Sequence, residues 1–160
     1  MKLFRFLLMI TLVFPPVTGT AQGVQLGFGQ TQQNIGLPVE VTAESLSVNQ
    51  TDGSAVFEGN VDISQGEMRM TADKVNVHYK EDSQGIDRLV ATGNVLLVQG
   101  PDAAEADEAV YSIDSGSVVM SGNVTVAQAQ TTITANQMIL NLQDNTAKLT
   151  GQVKTVLRSE

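Results

Sequence analysis

Gly59-Asn60-Val61, Gly93-Asn94-Val95, Gly122-Asn123-Val124 and the variant Gly151-Gln152-Val153 are one phrase written four times. Upstream of each stands Ala, an acid or amide, one further residue and an apolar side chain. The four copies are Ala43-Glu44-Ser45-Leu46, Ala72-Asp73-Lys74-Val75, Ala106-Asp107-Glu108-Ala109 and Ala135-Asn136-Gln137-Met138. The spacing defines a repeat of about 29 residues, stretched in the second unit by a short insertion. The units 39–67, 68–101, 102–130 and 131–159 follow end to end. A period of this size marks a one-dimensional array, in which each unit buries its apolar face only against its neighbours. Arrays of this kind present long surfaces and open ends rather than a catalytic centre.

Within each unit the apolar residues alternate with period two, which is the signature of strands and not of helices. Val41, Met70, Ala104 and Ile133 precede the Ala by two. Leu46, Val75, Ala109 and Met138 follow it by three, and Val48, Val77, Tyr111 and Leu140 by five. The phase slips by one residue around the Ala. A slip would turn every later side chain outward unless the backbone absorbs it, so a bulge or sharp bend is expected there. Turn residues come next, with Gly53, Gly116 and Asn145 at equivalent positions that call for positive φ. The second unit has the longer tip Lys80–Gly85 instead.

The return strands alternate again. Ala55, Phe57, Val61 and Ile63 share one face, as do Leu89, Ala91, Val95 and Leu97. Val118, Met120, Val124 and Val126 follow in the third unit, and Ala147, Leu149 and Val153 in the fourth. A glycine in mid-strand marks a bend or a close backbone approach. Each unit is thus a hairpin of two long strands bent near the middle. Stacked as a meander, such units predict an all-β, antiparallel jelly roll: two facing bent sheets around an elongated apolar interior, open at both ends. Phe57 and Tyr111 are the aromatics of this face, and Met70, Met120 and Met138 add adaptable thioethers suited to flexible hydrocarbon. The alternation by itself fits a filled sandwich core better than a lipid groove, because it reports only burial.

Outside the repeats, Lys2 and Arg5 precede an apolar run from Phe6 to Phe14, then Pro15-Pro16 and the small residues Gly19-Thr20-Ala21. That order predicts a secretory signal peptide over residues 1–21; the run falls well short of the ~20 apolar residues that span a bilayer. Residues 22–37 read as a flexible N-terminal extension, and 38–158 as the jelly-roll domain. Cysteine is absent, which excludes disulfides, thiol chemistry and thiolate metal sites. Nine basic residues stand against seventeen acidic ones, and two of the basic ones lie in the expected signal peptide. Such a surface repels phosphate backbones, so nucleic acid is not expected as a partner.

The remaining candidates for chemistry are weak. His78, the single histidine, sits on the outward phase without a second ligand or base beside it in the sequence. Asp102, Glu105, Asp107 and Glu108 lack the spacing of a calcium loop and read as a solvated loop. No catalytic residue, metal site or cofactor is expected.

Pro38-Val39-Glu40-Val41-Thr42-Ala43-Glu44 and Ala55-Val56-Phe57-Glu58-Gly59-Asn60-Val61, with their repeats, resemble the OstA-like family over residues 38–157. The likeness is greatest to the periplasmic bridge of lipopolysaccharide transport. The resemblance implies a slightly twisted jelly roll in the periplasm of a Gram-negative bacterium. Its role would be to carry lipopolysaccharide from an inner-membrane complex to the outer membrane, acyl chains in the groove and sugars in water. The expected groove is formed by Val41, Leu46, Val48, Phe57, Val61, Ile63, Met70, Val75, Val77, Leu89, Val95, Leu97, Tyr111, Ile113, Met120, Val124, Val126, Ile133, Met138, Leu140, Leu149 and Val153. The expected assembly edges are Val39–Val48, with Val39 and Val41, and Gln152–Leu157, with Val153 and Val156. Implied partners are an inner-membrane jelly-roll protein at one edge and the N-terminal domain of the outer-membrane translocon at the other, with head-to-tail self-association between them. The competing classes are a structural β-repeat and a membrane-anchored family member without lipid carriage of its own.

Overall fold

The computed structural model describes residues 23–82 and 85–158; the expected signal peptide lies outside them. Among the described residues eleven strands form one antiparallel sheet. In chain order they are β1 (Val24–Gly27), β2 (Glu40–Thr42), β3 (Ser45–Val48), β4 (Ala55–Gln65), β5 (Met68–Tyr79), β6 (Ile86–Gln99), β7 (Asp102–Ser112), β8 (Ser117–Gln128), β9 (Thr131–Asn141), β10 (Thr146–Thr150) and β11 (Lys154–Leu157). Strands β4 to β9 pair strictly in sequence order, as a meander of repeats must. The facing layers are the two halves of this one sheet, folded along a line through the middle of the long strands.

That line is where the repeat phrase sits. Pairing is interrupted at Glu58/Val61, Thr71/Lys74, Thr92/Val95, Glu105/Glu108 and Ser121/Val124. On the return strands the skipped residues are the Gly-Asn pairs, with φ +79° at Gly93 and +46° at Asn94, and near-equal values in the other units. Glycine is required because a Cβ at Gly93 would stand 3.0 Å from the Asp73 Cβ and 2.5 Å from its Oδ2. The adjacent Asn tolerates the left-handed region. Its amide donates to the carboxylate of the facing Ala-acid pair: Asn94 to Asp73 at 2.7 Å, Asn123 to Asp107 at 2.8 Å, and Asn60 to Glu44. These side chains lie on the outer surface, as expected of bend residues. The bulge thereby restores the phase, and Ala72, Ala106 and Ala135 are buried inside beside the apolar rows.

The first strand of unit one and the last of unit four break fully at the bend, giving β2 and β3 at one end and β10 and β11 at the other. One half of the sheet (called upper here) runs from β3 through the 55–58 part of β4 to β10 and β1. The lower half runs from β2 through the 61–65 part of β4 to β11.

The N-terminal segment departs from expectation. Residues 22–37 were expected to be a flexible extension, yet Val24–Gly27 pairs with β10 and extends the upper half. Phe28 is fully buried in the core. The sequence pattern misses this because the segment belongs to no repeat and its register is set by a strand more than a hundred residues away. The acidic cluster is likewise not on a loop: Asp102 opens β7 and is buried, while Asp107 lies at the bend and binds Asn123.

Candidate functional site: an apolar interior with a strapped slot

The registers build the inner wall row by row. In the upper half one row runs Leu46, Phe57, Val75, Ala91, Ala109, Met120, Met138, Leu149 and Val24. The next runs from Val48 and Ala55 through Val77, Leu89, Tyr111, Val118 and Leu140 to Ala147 and Leu26. In the lower half Val41, Ile63, Met70, Leu97, Ala104, Val126 and Ile133 line up. Of the residues expected to line a groove, all are buried or half-buried except Leu46 and Val48. Those two continue the inner rows but lie on the edge strand β3, 54% and 61% exposed, because no further strand covers them. At the other end Leu157 is 76% exposed and Val24 40%. The apolar interior therefore runs out to solvent at both ends. Between them it is packed, with Val61, Ile63, Leu89, Met120, Val124 and Leu149 fully buried.

Sequence reasoning anticipated two aromatics in this interior, and the chain supplies a third, Phe28, from the N-terminal segment. Tyr111 is fully buried in the upper half and its hydroxyl donates to Oε1 of Gln65 in the lower half. This bond ties the two walls across the interior. Burial pushes the Tyr111 pKa up to about 12.

The side opposite the bend is a slot between the free hairpin tips of the two halves. Residues 28–37 cross it as a strap. Phe28 N donates to Asn145 O at 2.8 Å and Gln33 N to Leu142 O at 3.1 Å, both on the upper rim. On the lower rim Gly29 N donates to Asp102 Oδ2 at 2.8 Å, and Gln33 Nε2 reaches Gln65 O. Gln65, Gln99 and Gln128, none of them singled out in the sequence, and Asp102, read there as part of a solvated loop, thus turn out to be structural partners of the strap. The signal was present: a glutamine stands six residues after the Gly of the bend in three units, with Leu157 in the fourth.

Val39 and Val41 are half-buried at the β2 end, and Val156 is exposed on β11 with Val153 half-buried before it. The far edge is shared, however: β11 ends only the lower half, and β1 ends the upper. His78 lies opposite Arg88 on the outer face.

Residues 40–155 match the family model described as "LptA/(LptD N-terminal domain) LPS transport protein". The chain belongs to this family. It is a family of transport proteins, not of enzymes. Among known proteins, the LPS-assembly protein LptD of Salmonella typhimurium is 38% identical over 74 residues, which are 41% of this chain and 9% of LptD. An uncharacterised protein of Rhizobium meliloti is 24% identical over 106 residues, 62% of this chain and 53% of that protein. The chain thus spans about half the length of one curated relative and a tenth or less of the other. The fold matches the crystal structure of LptH, the LptA-homologous periplasmic component of the lipopolysaccharide transport device of Pseudomonas aeruginosa. The TM-score is 0.69 at 17% identity, over 79% of this chain and 99% of LptH. The jelly-roll architecture expected from the repeat is the one observed.

Proposed function

We propose that the protein is a periplasmic bridge that carries lipopolysaccharide towards the outer membrane, acyl chains between the two sheet halves. The observation that carries this reading is the apolar interior that runs the length of the array and reaches solvent at both edges. A protein whose core served only stability would close its ends with polar residues. Here Leu46 and Val48 at one end and Leu157 and Val24 at the other leave inner-row side chains uncovered. Each end also carries edge strands paired on one side only, β2 and β3 or β1 and β11, whose free sides are templates for strand addition. Docking a second jelly roll there would join the interiors. The partners would be an inner-membrane jelly-roll protein, the N-terminal domain of the outer-membrane translocon, and further copies of this chain. The acidic surface fits a carrier that holds tails without gripping an anionic head group.

Photo-crosslinking in cells from Phe57 or Met120, followed by a blot for lipopolysaccharide, tests carriage directly. A crosslinked adduct at both positions is expected. Its absence at both, with the protein folded, leaves the structural β-repeat as the reading. Val95→Phe refines the same test. If the halves part to admit cargo, lipid binding falls while the melting temperature shifts by only a few degrees. A permanently filled core would instead lose about 1–3 kcal/mol without a lipid phenotype.

A further inference from the structure

Gln65, Gln99 and Gln128 occupy one position of the repeat and end successive return strands on the lower rim of the slot. All three do the same thing. The Gln65 amide donates to the carbonyls of Ile35 at 2.9 Å and Leu37 at 2.8 Å. Gln99 donates to the Thr31 carbonyl at 3.4 Å and to Asn145 Oδ1 at 3.1 Å, and Gln128 to the Gly27 carbonyl at 2.7 Å. β1 and the strap thus offer a carbonyl to each glutamine, Gly27, Thr31 and Ile35 at four-residue spacing, with Leu37 a second acceptor for Gln65. Gly29, at φ +81°, lets the strap backbone lie on the Gln99 side chain; a Cβ there would come within 2.7 Å of Gln99 Cδ. Gln65 and Gln99 are almost fully buried, and Gln99 Oε1 has no partner among the described residues. A buried amide left half satisfied stabilises a closed state poorly.

These amides sit at one level of the molecule, the boundary between the apolar rows and solvent. Directly inside them are Ile63, Leu97 and Val126; outside lies the strap, which leaves Gln65 and Gln99 buried, and beyond it water. An acylated amphiphile has its ester and amide carbonyls at that same boundary, between hydrocarbon and head group. We propose that the glutamine row is a carbonyl-binding site for the acyl linkages of the cargo, which the strap fills in cis until cargo enters through the slot. On this account the carbonyls of Gly27, Thr31, Ile35 and Leu37 stand in for acyl carbonyls, and the Phe28 ring stands in for hydrocarbon. Entry exchanges one set of carbonyls for the other on the same donors, so little hydrogen bonding is lost on the way. The inference rests on the carrier reading above and adds to it where cargo enters and which side chains hold it.

The chain has no cysteine, so one engineered pair can lock the strap. A Cβ placed on Gly116 would lie 2.8 Å from Ile35 Cγ2, close enough for a disulfide to bridge the two positions. Full-length protein carrying Ile35→Cys with Gly116→Cys should bind rough lipopolysaccharide at least tenfold more weakly oxidised than reduced. Equal binding in the two states overturns the gate. Phe28→Ala, which frees the strap without a crosslink, should bind severalfold more tightly than wild type. Adding Gln99→Met to Phe28→Ala should then lower affinity severalfold. A glutamine that served only to hold the strap would leave binding unchanged or raise it in that background, and this result overturns the carbonyl assignment. Absence of binding in every form, Phe28→Ala included, removes the carrier reading itself, an outcome distinct from equal binding by locked and unlocked protein.

Discussion

Along the bend, four glycines at φ between +78° and +83° turn the sheet back on itself, while along the slot a single non-repeating segment joins the two rims. Both sides hold the halves together, by different physics. The bend is covalent: a backbone that must enter the left-handed region at a fixed place in every unit, with little alternative. The slot is a set of hydrogen bonds between a strap and two rows of hairpin tips, and each could form with another partner. A molecule that opens would do so at the slot and hinge at the bend. Moving cargo then needs no strand pairing to break, because the pairing of β4 to β9 is already interrupted at the hinge.

The largest effect should come from attacking the hinge. Gly93→Val places a β-branched side chain at φ +79° and drives its Cβ against Asp73. Strain of this kind costs on the order of 1–3 kcal/mol, and the clash adds to it. The variant should melt roughly 10 °C below wild type, the scale of a 3 kcal/mol loss in a domain of this size. A drop of a degree or two would mean that the bend can relocate, and the hinge would lose its covalent character.

The strap should fail differently. Phe28→Ala removes a fully buried ring, a change that commonly costs 3–5 kcal/mol in a cooperative core. If the strap is a separate unit, the cost is confined to its own opening. Amide exchange across residues 28–37 should then accelerate by about a hundredfold or more, while protection in β5 to β8 stays near wild type. Uniform loss of protection would erase the distinction between slot and bend.

The same contrast explains what could be read from the chain alone. The bend was legible because four copies of Ala-acid and Gly-Asn vote for one local geometry, and period-two alternation on either side fixes the inward face. Even the phase slip could be assigned, since only a bulge keeps Val75 inside with Met70, Ala109 with Ala104, and Met138 with Ile133. The strap was not legible. Gly27-Phe28-Gly29 and Gln32-Gln33 look like a polar linker until β1 is seen paired with β10, and that pairing is fixed by no local rule. Asp102 was misplaced for the same reason: in the sequence it is one of four neighbouring carboxylates that read as a solvated loop, and only its bonds to Gly29 and Gln128 explain why it is buried. The glutamine row lies between these cases, since its periodicity is written in the repeat while its purpose depends on the strap.

Tyr111 belongs to neither side but joins the halves through the interior, and its titration measures how closed the molecule is. Its folded pKa, about 12, lies above the ordinary tyrosine value near 10. Burial therefore favours the neutral form. The stability this contributes is fully present below about pH 10 and is lost as pH rises towards 12. Tyr111→Phe should cost about 1 kcal/mol at neutral pH, through the lost bond to Gln65. It should also remove that part of the alkaline decline which wild type shows in denaturation midpoints across the same window. Identical slopes for variant and wild type would place the hydroxyl in water and the halves apart.

The smallest effect tests whether the outer carboxylates of the bend are causes or ornaments. Asp73 accepts from Asn94 at 2.7 Å, but both lie on the exposed face, where water replaces a lost partner. Asp73→Ala leaves Gly93 and Asn94 free to keep their positive φ and removes only a solvated, charge-assisted bond. Exposed interactions of that type are worth roughly 0.2–1 kcal/mol. The melting temperature should therefore fall by no more than a few degrees, well short of the Gly93→Val loss. Replacing Asn94 by Gly, which keeps the backbone preference and discards the amide, should match Asp73→Ala closely. A loss from Asp73→Ala as large as that from Gly93→Val would reverse the order of cause: the carboxylate would be holding the backbone in the left-handed region, and the repeat would have been selected for its acid rather than for its glycine.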